Sequence, residues 1–90
     1  MNTTQLKNII NILNKANISQ PSSIGWMLLS RAYGMQGDRA YSTYAAAGYS
    51  AAIGEYKTAL RQLNAAKEYA KGNSALLLKI ADFYDFLEIL

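Results

Sequence analysis

The chain has 90 residues, a hydrophobic content of 51% and a formal net charge of +3, which is enough apolar material for one small domain. It contains no cysteine and no histidine, so disulfides are excluded and the commonest general base and metal ligand are both missing. No metal and no cofactor are therefore expected, and a single proline among long Ala/Leu/Lys-rich runs favours helix.

A first helix is predicted over residues 3–16, because Leu6, Ile9, Ile10, Leu13 and Ala16 recur at the spacing of one buried stripe. Asn2 with Gln5 reads as a capping box at its start. Residues 17–22 form the longest predicted connection, since Pro21 disfavours helix at the residue before it. Ser22 or Ser23 then caps a second helix over 23–36, with Trp26, Leu28, Leu29, Ala32 and Tyr33 as its apolar positions. Gly37 ends it by taking a left-handed conformation, and Asp38 is placed to cap the next helix.

The third helix, 39–53, is rich in alanine and carries Gly48, so two neighbours could approach it closely. Gly54 and Glu55 make the next turn. A fourth helix over 55–71 buries Ala59, Leu60, Leu63, Ala66 and Tyr69 or Ala70, and Gly72 stops it. Asn73 or Ser74 caps a fifth helix over 74–89, which carries Leu76, Leu77, Ile80, Phe83, Tyr84 and Leu87, with Leu90 just beyond it, and is apolar around more than one face. Gly37, Gly54 and Gly72 lie 17 and 18 residues apart, one helix plus one tight turn each time, which makes neighbouring helices antiparallel.

Nine Lys/Arg fall before residue 81 against Asp38, Glu55 and Glu68, whereas the end carries Asp82, Asp85 and Glu88 with no base among them. Lys57 with Arg61 and Lys67 with Lys71 read as solvated faces; a nucleic-acid surface needs a denser patch, and no nucleic acid is expected. The N-terminal stretch lacks the charged head and cleavage site of a signal peptide. The longest small-apolar run, residues 44–53, falls far short of the roughly 20 residues that cross a bilayer, so a soluble domain without a membrane span is expected.

The sequence also overlays itself at an offset of 34 residues. Ile12, Ala46 and Ile80 share one slot and Leu13, Ala47 and Ala81 the next, while Gly25 pairs with Ala59, Leu29 with Leu63 and Ala32 with Ala66. That period is the one of tetratricopeptide repeats, and residues 54–66 resemble the turn and second helix of such a unit. The resemblance implies a right-handed antiparallel array of helix pairs closed by a capping helix, a fold that builds binding surfaces rather than reaction centres.

The order Trp26, Leu29-Ser30-Arg31-Ala32-Tyr33, Gly37-Asp38, Tyr44 to Tyr49, then Gly54-Glu55-Tyr56 further resembles the C-terminal helical-repeat domain of BepA-like periplasmic zinc metallopeptidases, over roughly residues 21 to 73. Leu13 and Ala47 stand where the repeat often has glycine, and Lys71 where it often has proline. The catalytic HExxH helix of that family is absent, so no catalytic or zinc residue carries over. The resemblance implies a non-catalytic interaction module in the periplasm or cell envelope, holding a partner protein or the catalytic domain of the same polypeptide.

In such a repeat the first helix of each pair lines the concave face, which receives Lys7, Ile10 and Asn14, then Tyr41, Tyr44, Gly48, Ala51 and Ala52. Lys7, Asn14, Tyr41 and Tyr44 are the expected partner contacts, the tyrosines because each joins an apolar body to a polar tip. Either tyrosine can equally be read as a core filler. Trp26 reads as core, Met27 and Met35 as gap-fillers, and Asp82, Asp85 and Glu88 as the solvated face of the last helix. The second reading of function is a self-associating helical adaptor, dimerising through the apolar C-terminal helix.

Overall fold

The computed structural model describes residues 2–90, and among them the chain forms five α-helices and no strand: α1 (Thr3–Ser19), α2 (Ser23–Gln36), α3 (Arg39–Ala52), α4 (Tyr56–Tyr69) and α5 (Ser74–Ile89). Local capping chemistry sets most of these boundaries. Asn2 and Gln5 form the reciprocal capping box, with Gln5 N donating to Asn2 Oδ1 at 2.8 Å and Asn2 N to Gln5 Oε1 at 3.1 Å. Ser22 caps α2, Asp38 caps α3 and Asn73 caps α5, each accepting a backbone N–H three residues on. Gly37, Gly54 and Gly72 take φ of 83°, 84° and 87°, the left-handed region that side chains resist.

The first helix runs to Ser19 rather than ending near residue 16. Nothing breaks it before Pro21, and Asn17, at 7% exposure, closes the turn from inside the helix by accepting Ser22 N at its Oδ1. Glu55 is the N-cap of α4 rather than its first residue, although its side chain makes no capping bond. The same helix stops at Tyr69, two residues short of the predicted end, because the chain turns through Ala70 and bonds Asn73 N to Ala70 O. In α3 the last helical residue is Ala52, with Ile53 as the cap before Gly54.

Each helix packs on the next in chain order, and α5 also touches α3, whereas α1 and α3 do not come within packing distance of each other. The molecule measures 39 × 29 × 18 Å, about two helix diameters in its thinnest direction. Its interior falls into two separate clusters. The larger joins Ala47, Ala59, Leu63, Ala66, Leu76 and Ile80 across α3, α4 and α5. The smaller joins Leu6 and Ile10 of α1 to Ala32 of α2, with Leu13 and Tyr33 at its edge.

The alanine-rich α3 sits between α2 and α4, as its small side chains predict. Both seams carry polar clasps. Ser30 Oγ donates to Ser42 O and Ser42 Oγ donates back to Ser30 O, each at 2.8 Å, joining α2 to α3. Ser50 Oγ donates to Gln62 Oε1 at 2.6 Å, joining α3 to α4. A small buried hydroxyl allows close approach and satisfies a polar group in the same place.

Candidate partner-binding groove

Where α1 and α3 part, a groove of about 700 Å³ opens over α2. Its floor is Leu29, 1% exposed, with Ala45 beside it. One wall is the C-terminal half of α1, through Asn14, Asn17 and Ile18. The other is α3, through Tyr41 and Tyr44, with Lys79 of α5 reaching its rim. Trp26 and Tyr33 of α2 stand at its two ends.

The aromatic side chains are held in two pairs. Tyr33 stacks on Tyr41 with ring centroids 4.9 Å apart, and Asn14 Nδ2 donates to the Tyr33 hydroxyl at 2.9 Å. Trp26 meets Tyr44 edge-on at 6.0 Å, and Phe83 of α5 completes this second group at 6.3 Å from Trp26 and 6.0 Å from Tyr44. The Lys79 ammonium lies 6.0 Å from the centre of the Tyr41 ring, the outer limit of a cation–π approach. Burial pushes the Tyr41 phenol up from its ordinary value, helped by Tyr33 and Asp38. It does the same to Tyr44, helped by Tyr41 and Asp82.

Three of the expected contacts, Asn14, Tyr41 and Tyr44, thus meet at one groove. Lys7 is exposed on α1 and lies outside the groove lining. Both tyrosines are half-buried, so each helps to fill the interior and also presents a face to the groove.

Other residues assigned to this face lie elsewhere. Ile10 is buried against Ala32, because α1 rests on α2 through it. Gly48 is buried beneath Trp26, where a Cβ would overlap Cδ2, Cε3 and Cε2 of the indole. Ala51 and Ala52 border a second depression, on the far side of Trp26, that also takes in Tyr56, Phe86 and Leu90. Trp26 is half-buried and separates the two depressions. Met35 fills no gap and is 64% exposed.

Sequence reading missed Asn17, Leu29, Tyr33 and Lys79 as groove residues. The hydrogen bond of Asn14 to Tyr33 spans two helices, and no local pattern announces it. Asp82, Asp85 and Glu88 are exposed along α5, and among the described residues no three acidic side chains converge on one point. No described helix is long and apolar enough to cross a membrane. Comparison of the chain with protein-family models, with curated proteins and with solved structures finds no match.

Proposed function

We propose that the chain is a non-catalytic protein–protein interaction module that takes a segment of a partner protein in the groove between α1 and α3. The observation that carries this reading is the groove itself, with a buried aliphatic floor, walls of tyrosine, tryptophan and asparagine, and Lys79 as the charged side chain at its rim. Tyrosine and tryptophan contribute large contact area at low entropic cost, and they dominate binding energy at interfaces. The lack of histidine and cysteine also supports a binding role over a catalytic one.

On the same reading the helices form tetratricopeptide-like right-handed pairs, α1 with α2 and α3 with α4, and α5 caps the array. The motif order from Trp26 to Tyr56 supports placing the module as the helical-repeat tail of a cell-envelope zinc metallopeptidase, where the partner is a periplasmic protein or the catalytic domain itself.

A photo-crosslinking residue in place of Tyr41, compared with one in place of Lys57 on the outer face of α4, tests the binding reading in cells. The expected result is a discrete adduct from position 41, mapping to one partner segment, and none from position 57. Equal adducts from both positions, or none from 41, would remove the groove from consideration.

A second reading, a self-associating adaptor, is favoured by the end of α5. There Phe86, Ile89 and Leu90 are 57%, 83% and 67% exposed, and Tyr56, which borders the same depression as Phe86 and Leu90, is 44% exposed. Exposed large side chains in such density mark association sites.

A further inference from the structure

Two helices of this chain are buried through the same stripe. The 34-residue overlay matches Gly25, Leu29 and Ala32 of α2 to Ala59, Leu63 and Ala66 of α4. Apart from Gly25 all of these are buried, and a Cβ on Gly25 would overlap Asn17 Oδ1 of α1. The slot they meet on the preceding helix is shared as well. Leu13 of α1 packs on the cluster that holds Ala32, and Ala47 of α3 lies in the cluster that holds Ala59, Leu63 and Ala66. On α5 that slot is Ala81, and Ala81 is exposed.

A third depression, of about 490 Å³, opens over Ala81 between α4 and α5. From α5 it takes Leu77, Ile80, Ala81 and Tyr84, which stand at i, i+3, i+4 and i+7. Four residues at that spacing outline the hole that receives one side chain of a facing helix. Ala81 keeps the hole open, while Leu77 and Tyr84, both half-buried against the main interior, form apolar sides. Lys67 of α4 and Asp85 of α5 stand at its margins.

We infer that this hole seats a basic amphipathic helix of a partner protein, docked on α5 as α4 docks on α3. The partner helix carries a small residue, a leucine and a second small residue at i, i+4 and i+7, the stripe that α4 lays against Ala47. Its leucine enters the hole over Ala81. Charge sets its flanks: Asp82, Asp85 and Glu88 are exposed along α5, and no base follows Lys79. A second copy's α5 fits this seat poorly, because it lays three further acids beside Asp85. The seat shares no lining residue with the groove between α1 and α3, so it is a second surface beyond the one proposed above.

Residues 56–71 of the chain supply a probe, since they hold the stripe and carry Lys57, Arg61, Lys67 and Lys71 against Glu68 alone. A stapled, labelled helical peptide of that sequence is titrated with the full chain, and anisotropy reports binding. Binding should saturate, and Leu63→Ala in the peptide should weaken it about tenfold or more. In the full chain, Ala81→Leu fills the hole from an exposed position and should weaken binding at least as much. Ala81→Ser leaves the space and should bind as the unaltered chain does. Asp85→Asn should weaken binding about two- to fivefold, the share of one exposed ion pair. Thermal melts of the variants establish that their folds are intact.

A peptide that does not saturate overturns the inference. Binding that ignores Ala81→Leu overturns it too, because the peptide is then replacing α4 in the interior. Sedimentation of the chain alone as a dimer that Ala81→Leu dissociates makes a second copy the occupant and also overturns it. The crosslinking comparison of positions 41 and 57 decides the groove reading separately.

Discussion

Gly48 lies in the middle of α3 with the indole of Trp26 directly on its Cα. In a free helix, replacing glycine with alanine gains about 1 kcal/mol of propensity. Here the added methyl overlaps three ring carbons of Trp26, and overpacking of that kind costs about 1–3 kcal/mol. The steric cost wins because Trp26 is also held in place by Tyr44 and Phe83, whose ring centres lie 6.0 and 6.3 Å from its own. Gly48→Ala should therefore lower the melting temperature by several degrees, which a thermal scan followed by circular dichroism measures. An unchanged or raised value would mean that Trp26 swings aside freely.

The tyrosines make a second residue-level prediction. Both phenols ionise above their ordinary value of 10.0, so the fold favours their neutral forms. That contribution is intact below about pH 10 and is lost as pH rises through the raised folded values. Denaturant melts of Tyr44→Phe should show a shallower loss of stability above about pH 10 than the unaltered chain. Equal slopes would place the alkaline transition on other groups. At this scale the sequence was legible wherever partners lie three or four residues apart, as at Asn2 with Gln5 or Asp38 with Tyr41. It was opaque where they lie far apart, which is why no local pattern announced that Trp26 is the residue lying on Gly48.

Periodicity located all five helices, and the errors sit at their ends, where tertiary context decides. Asn17 is the instructive case. A polar residue beyond the last apolar position reads as loop, yet in α1 it is buried and helical because its side chain completes the turn before Pro21. The end of α5 carries the element-level prediction. Phe86 and Leu90 border the depression with Tyr56, and each large side chain covered by a second copy gains about 1.5–3 kcal/mol. On the self-association reading the chain sediments as a dimer at high concentration and Phe86→Glu as a monomer. A monomeric unaltered chain, indistinguishable from the variant, removes that reading.

Across the whole molecule, the self-overlay at 34 residues anticipated helices of similar length but not their unequal packing. The overlay matches α1 to α3 and α3 to α5, yet α3 touches α5 and leaves α1 alone. The groove exists because of that inequality, and so the site was only half legible. Asn14, Tyr41 and Tyr44 could be proposed from helix phase, whereas the floor at Leu29 and the reach of Lys79 depend on how far the helices separate.

The separation has a further consequence, in the ease with which parts of the chain open. With α2 as its only helical neighbour, α1 is attached by a small cluster that shares no residue with the main interior. It can undock while α3, α4 and α5 stay folded, so its amides should exchange with solvent faster, and through a lower-energy opening, than those around Leu63 and Leu76. Because α1 is also a wall of the groove, any segment lying there bridges the loose wall to the fixed one. Native-state hydrogen exchange should then slow selectively in residues 6–17 when the groove is filled and leave α4 unchanged. Uniform slowing over all five helices would show instead that the molecule opens as a single unit.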